Sequence, residues 1–309
     1  MPLHPALAKM REEDLRSNRA ETSAGTVAAA RELLSRSALA LGNGPPVGEV
    51  GSLTIPARAG SLPCRLYHPV GIAEGLVVYL HGGGWLAGTL DGSDALARHL
   101  VTRSHCALLL VDYRLAPEHP FPAGLEDAED ALRWAGARRV DLFGRGTRLI
   151  AAGDSAGANL ATVAARLLKD EVEVALQVLF YPVTDTDTGT ASYREHGTGL
   201  RLTRNDMRWF MAHYAPRTLW TDPRIAPLRA GDLEGSPPAW IATAEYDVLR
   251  DEGEAYAASL AKAGVPVELR RYDGLTHGFA RMMNIVDTAD QALDEAAAAI
   301  ARCAMSGSP

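Results

Sequence analysis

From Gly75 onwards the chain alternates short apolar runs with longer segments of helical period. The runs are "GLVVYL" (75–80), "CALLLVDY" (106–113), "RLIAAG" (148–153), "ALQVLFYP" (175–182), "PAWIATAEYD" (238–247) and "VELRRYD" (267–273). Most lack the polar–apolar alternation of a half-solvated strand and fit strands buried on both faces of a parallel sheet. Helices are expected between them at 92–104, 123–137, 156–169, 252–263 and 287–304. In the last of these, Ala292, Leu293, Ala296, Ala297 and Ile300 fall on one stripe, and Asp287 is the expected cap. Upstream, "GSLTIPARAGSLPCRLYHP" (51–69) reads as two antiparallel strand pieces around a glycine-containing turn. The pattern predicts an α/β fold with a mostly parallel central sheet flanked by helices.

Two regions break the rhythm. Residues 1–41 read as one or two amphipathic helices with no strand to cross to. Residues 184–222 separate two strands by far more than an ordinary loop and contain a helix candidate at 203–214. A lid over a site would have this form, and so would a surface decoration.

Composition narrows the function classes. With 309 residues, 47% apolar and 22% charged, the chain can bury one large core or two smaller ones. A formal net charge of -7 gives no electrostatic reason to approach nucleic acid or anionic lipid. Three widely spaced cysteines, Cys64, Cys106 and Cys303, suit neither a disulfide framework nor a metal site and are expected to be reduced. No run approaches the roughly 20 apolar residues of a spanning helix. The first residues, "MPLHPALAKMREEDLRSNRAE", lack the apolar core of a signal peptide. The expectation is a cytoplasmic protein with no nucleic-acid partner and no membrane insertion.

The chemistry-bearing stretch is "LVVYLHGGGWLAG" (76–88), in which three glycines follow a strand at an entropic cost of roughly 0.5–1 kcal/mol each. One reading is a dinucleotide fingerprint, since Gly82, Gly84 and Ala87 match G-x-G-x-x-A and the next strand ends at Asp112. Against it, "LAGTLDGSD" keeps the chain irregular until about Asp91 or Ser93, so no helix N-terminus meets the glycines. The other reading needs a partner, and "RLIAAGDSAGANLATVAARLL" supplies one: a strand, then Gly153-Asp154-Ser155-Ala156-Gly157, then a helix. In G-x-S-x-G the glycines relieve a sharp turn that lifts the serine hydroxyl above the sheet. A bland alternative is a serine that only caps its helix.

A nucleophilic serine needs a base, a residue to orient that base, and donors for the developing oxyanion. Of nine histidines, His277 in "RYDGLTHGFARMM" follows the last strand and so opens on the edge of the sheet where Ser155 emerges. His81 suits a bracing role in the glycine loop. Asp247 ends its strand on the same edge, with Glu245, Asp251 and Glu252 as competitors; the last two lie in the first turn of a helix, where carboxylates favour the dipole. The order Ser155, Asp247, His277 is that of an α/β-hydrolase, whose oxyanion hole takes N–H groups from the residue after the serine and from the loop after an earlier strand. Those are Ala156 and the His81-Gly82-Gly83-Gly84 loop, where side chains at Gly83 and Gly84 would obstruct a carbonyl oxygen.

With "HGGGW" (81–85), "DYRLAPEHPFPA" (112–123), "GDSAGANLA" (153–161), "DVLRDEG" (247–253) and "HGF" (277–279), the chain resembles the bacterial hormone-sensitive-lipase family of carboxylesterases over nearly its whole length. The resemblance implies an α/β-hydrolase fold with a helical cap, Ser155 as nucleophile, His277 as base, Asp247 as its orienter, and Gly83, Gly84 and Ala156 as amide donors. It implies a cap from residues 1–45 and 184–222, and a catalytic core from 46–183 and 223–309. Val248 stands where the family commonly has proline. The implied activity is hydrolysis of short- to medium-chain esters through an acyl-enzyme, without metal or cofactor. Lactones and amides suit the same triad, and some relatives of this fold are receptors without turnover. Trp85, beside the glycine loop, and Phe210 and Tyr214, on an apolar stripe with Met207 and Met211, are the expected substrate contacts. An exposed edge strand late in such a sheet would serve a homodimer.

Overall fold

The computed structural model describes residues 1–306. Among them one eight-stranded sheet runs in the order β1-β2-β4-β3-β5-β6-β7-β8. Its strands are β1 (Glu49–Ala57), β2 (Gly60–His68), β3 (Gly75–Leu80), β4 (Ala107–Val111), β5 (Arg148–Asp154), β6 (Leu176–Phe180), β7 (Ala239–Tyr246) and β8 (Val267–Thr276). The hairpin β1–β2 is antiparallel, as its turn suggests, and β2 joins β4 antiparallel. From β4 to β8 every pairing is parallel.

Period-two geometry sorts the strand residues onto two faces. Leu76, Val78 and Leu80 of β3 enter one apolar cluster, and Val77 and Tyr79 enter the other. The first cluster packs against α4 (Ala123–Phe143), α5 (Ala156–Leu167) and α8 (Arg250–Lys262); the second packs against α3 (Asp94–Ser104) and α9 (Asp287–Met305). All six residues of β3 are buried, as a strand covered on both sides must be. The first crossover helix after Pro122 runs six residues beyond its expected end, to Phe143, and stops where Gly144 takes φ 94°.

Asp287 does not cap α9. Val286 occupies the cap position, and Asp287 is the first helical residue, its carboxylate accepting the Thr288 N–H at 2.6 Å and facing His4 Nε2 at 3.0 Å. A first-turn carboxylate still favours the helix dipole.

The irregular regions hold the remaining helices: α1 (Pro5–Arg16), α2 (Val27–Ala40), α6 (Ala191–His196) and α7 (Arg204–Tyr214). α7 opens on a capping box in which Thr203 and Asp206 bond each other's backbone N–H, and it buries Met207, Phe210, Met211 and Tyr214. No helix among the described residues is long and apolar enough to cross a membrane.

Candidate active site

The parallel strands deliver their C-terminal ends to one edge, and the loops there carry the residues singled out above. Ser155 follows β5 directly and holds φ 55°, ψ -119°, a strained conformation for a side-chain-bearing residue. The turn admits it because its flanks are bare. A Cβ at Gly153 would lie 2.5 Å from the Gly157 carbonyl carbon, and one at Gly157 would lie 2.0 Å from the Leu80 oxygen. The Ser155 N–H is held by the Phe180 carbonyl at 2.9 Å, which orients the turn without using the hydroxyl.

That hydroxyl meets His277 Nε2 at 3.0 Å, and His277 Nδ1 meets the Asp247 carboxylate at 2.8 Å. Asp247 is 1% exposed, and its other oxygen accepts the Leu249 N–H at 3.0 Å, which fixes the carboxylate plane. Val248 leaves that geometry intact. Of the competing acids, Glu245 binds the terminal ammonium of Met1 and the Gly274 N–H; Asp251 binds the Ser192 N–H and Arg250; buried Glu252 binds the N–H groups of Thr184 and Asp185. Each is committed to holding a loop.

The glycine loop lies beside this chain of bonds. Its bare backbone has a more local cause than substrate access. A Cβ at Gly82 would meet the Asp154 carboxylate at 2.5 Å; at Gly83, with φ +135°, the Ala87 oxygen at 2.2 Å; at Gly84, with φ +63°, the Phe210 ring at 2.3 Å. The N–H groups of Gly83 and Gly84 meet no acceptor among the described residues, and Ala156 opens α5, where first-turn N–H groups have no partner within the helix. Three unclaimed amides thus stand near the serine.

His81 braces this loop. It is fully buried, its Nδ1 lies 3.0 Å from the Gly82 carbonyl, and its ring stacks on Tyr113 at 4.5 Å, while the Tyr113 hydroxyl donates to the His81 carbonyl at 2.7 Å. Burial lowers its pKa to about 4, so it is neutral at ordinary pH.

Ser155, His277, Gly82, Gly83, Gly84, Met207 and Phe210 share the wall of a cavity of 640 Å³. Trp85 and Tyr214 do not reach it. Trp85 takes φ 61°, which turns the indole away from the loop it follows, and it stacks on Tyr214 at 4.4 Å with the rings 4° from parallel, both fully buried. The pair glues α7 to the sheet, and Phe210 alone of the three expected contacts faces the site. Gly88, the segment from Asp112 to Leu115, and Glu118 and His119 also wall the cavity, as do Leu34, Ser35 and Ala38 of α2 and Leu41 just after it.

The alpha/beta hydrolase fold family matches residues 77–281. Carboxylesterase NlhH of Mycobacterium tuberculosis is 41% identical over 249 residues, 78% of each chain. The chain belongs to the carboxylesterases of the alpha/beta hydrolase superfamily. Carboxylic ester hydrolase LipN of the same organism is 44% identical over 77% of this chain, which spans 66% of LipN's length. Among solved structures, the hyperthermophilic esterase of the archaeon Pyrobaculum calidifontis superposes with TM-score 0.92 at 37% identity, covering 100% of both chains.

One feature of this carboxylesterase lies outside the expected residues. Asp154, beside the serine, accepts hydrogen bonds from Gly82 N–H at 2.8 Å and Tyr79 hydroxyl at 3.0 Å, and it pairs with Arg281 at 3.0 Å. Burial would raise the Asp154 pKa, but the Arg281 charge and these donors outweigh it and hold the carboxyl below its ordinary value. One buried ion pair therefore ties the serine turn, the glycine loop and the segment after His277 together. Arg281, four residues past His277, carries no signal of pairing in the sequence.

Proposed function

We propose that Ser155 is the nucleophile, His277 the general base and Asp247 its orienter, and that Gly83, Gly84 and Ala156 hold the oxyanion. The observation that carries this reading is the unbroken hydrogen-bonded chain from the Ser155 hydroxyl through His277 to Asp247, opening into the cavity. Ser155 Oγ attacks an ester carbonyl carbon while His277 Nε2 takes its proton, and the carbonyl oxygen gains the negative charge the three amides stabilise. His277 then protonates the leaving alcohol, an acyl-serine remains, and water activated by the same imidazole releases the acid. Asp247 keeps the Nδ1–H side oriented and favours the transient imidazolium. Removing one oxyanion donor in a hydrolase of this kind costs about 2.7–4 kcal/mol in the chemical step.

The same reading makes residues 1–45 and 184–222 a cap over a core formed by 46–183 and 223–309, since α2 and α7 close the cavity over the strand ends. A cavity of 640 Å³ with Phe210, Met207 and Leu34 in its wall suits soluble esters of short to medium chain. Three free cysteines fit the expected cytoplasmic setting, and the free edge of β8 fits pairing of two copies, which sedimentation over a range of concentrations tests.

The test of function is hydrolysis of p-nitrophenyl esters from acetate to palmitate by the wild type and Ser155→Ala. Turnover that peaks at the shorter chains and vanishes in the variant is expected. A wild type inert on every ester, or a preference for palmitate, would overturn the substrate reading.

A further inference from the structure

Charged side chains line the cavity, and nearly all have their counterion in place. Arg31 pairs with Glu118, Arg114 with Asp127 and Glu126, Arg281 with Asp154, and Arg19 and Arg201 both reach Asp14. Asp112 is the exception among the described residues of the wall: its carboxylate takes part in no hydrogen bond or ion pair, although half-buried. Its backbone is firmly placed, since it follows β4 directly and its N–H donates to the Pro63 carbonyl at 3.0 Å. Burial raises its pKa from the ordinary value, as expected of a carboxylate short of donors.

Arg65, whose charge offsets part of that burial, is already shared among other carboxylates. Arg65 is engaged by Asp91 at 2.8 Å and Asp94 at 3.5 Å, and Arg98 by Asp94 at 2.6 Å. Two guanidiniums therefore face three carboxylates, and the uncompensated one opens into the cavity. We propose that Asp112 is a recognition site for a protonated amine carried by the ester substrate. Such a group supplies the missing charge and donors together, and charge-assisted hydrogen bonds are the strong ones. This inference rests on the ester-hydrolase reading of the same cavity.

The fold sets the reach. Leu80 of β3 is registered with Val111 on one side and Gly153 on the other, so Asp112 and Ser155 leave the sheet two strand spacings apart, roughly 10 Å. The amine should therefore stand about five to seven atoms from the reacting carbonyl, given that roughly 10 Å span.

Two matched pairs test this on either side of the ester bond: p-nitrophenyl 6-aminohexanoate against p-nitrophenyl heptanoate, and 5-aminopentyl acetate against hexyl acetate. In the wild type the amine member of at least one pair should have the higher kcat/KM, by about tenfold. Asp112→Asn should lower that amine-to-neutral ratio to near one, and Asp112→Glu should restore part of it. A merely structural role for Asp112 would change both members alike and leave the ratio untouched. Binding of hexylammonium against hexanol, followed by calorimetry on the same proteins, supplies a readout independent of turnover. No amine preference in either pair, or a preference that survives Asp112→Asn, overturns the inference. Hexylammonium binding lost in Asp112→Asn, with no ester hydrolysed, would uphold the site and sink the hydrolase reading instead.

Discussion

The sheet edge that carries Ser155, Asp247 and His277 and the helical layer above it are held by different forces. Below, β5, β6 and β7 are almost wholly buried, and the loops that carry Ser155 and Asp247 leave strands locked on both sides by apolar packing, while His277 follows the partly exposed edge strand β8. Above, α1 buries only Leu7, and among the described side chains of α2 only Ala30 is buried. Those helices are tied down by separate polar contacts. Arg31 donates to the Leu86 carbonyl at 2.7 Å and the Ala116 carbonyl at 3.0 Å and pairs with Glu118 at 2.5 Å; Arg201 reaches Asp14 at 2.8 Å; Arg11 donates to the Gly199 carbonyl at 3.1 Å. α7 is intermediate, with its apolar stripe packed inward. Apolar packing fixes where chemistry happens, whereas screenable charges fix what closes over it.

Perturbations should therefore separate the two layers by the size and kind of their effect. The largest belongs to the edge: His277→Ala should lower kcat by about 10⁴-fold or more while leaving the thermal midpoint near that of the wild type, because only the proton transfer is lost. Next is Arg281→Met, which strands the buried Asp154 carboxylate; breaking such a pair costs about 3–5 kcal/mol, measured by urea unfolding. Activity should fall with it, since the Gly82 N–H loses a firmly held acceptor.

A third effect appears in acid. The folded chain holds His81 near pKa 4, whereas the unfolded imidazole titrates near 6.5, so between those values the unfolded state binds the extra proton. Stability should therefore fall as pH drops from about 6.5 to about 4, by up to about 3 kcal/mol, and His81→Gln should flatten that slope. Asp154 adds to this only lower down. Its folded pKa is depressed, so its contribution is complete above the unfolded value and is lost as pH falls through the folded one.

The smallest effect belongs to the cover. Arg31→Ala should change stability by no more than about 1 kcal/mol, because the pair with Glu118 is partly exposed. It should nevertheless shift KM more than kcat, and about 1 M salt should mimic it in the wild type by screening the same contacts. Equal sensitivity of kcat and KM to salt would erase the distinction between the layers.

The difference also explains what was legible in advance. Strands β3 to β7 announce themselves because burial on both faces leaves a largely apolar signature, the edge strand β8 is only partly buried, and the shared direction of these strands places Ser155, Asp247 and His277 on one edge. Trp85 misleads because adjacency along the chain is not adjacency in space. A single positive φ turns the indole from the cavity to Tyr214, and that angle leaves no mark on a residue that is not glycine. Arg281 and Asp154 are opaque for a related reason, since a pair 127 positions apart has no local period. Asp287 shows the margin at helix ends, where one residue decides between capping a helix and beginning it.

The separation along the chain between Ser155 and His277, 122 positions, has a kinetic counterpart. Closing so long a loop is entropically costly and comes late, after nearer strands have paired. During refolding from denaturant, helical ellipticity should return before turnover, and chains still emerging from a ribosome should hold a shaped but inert serine turn until the final strand docks.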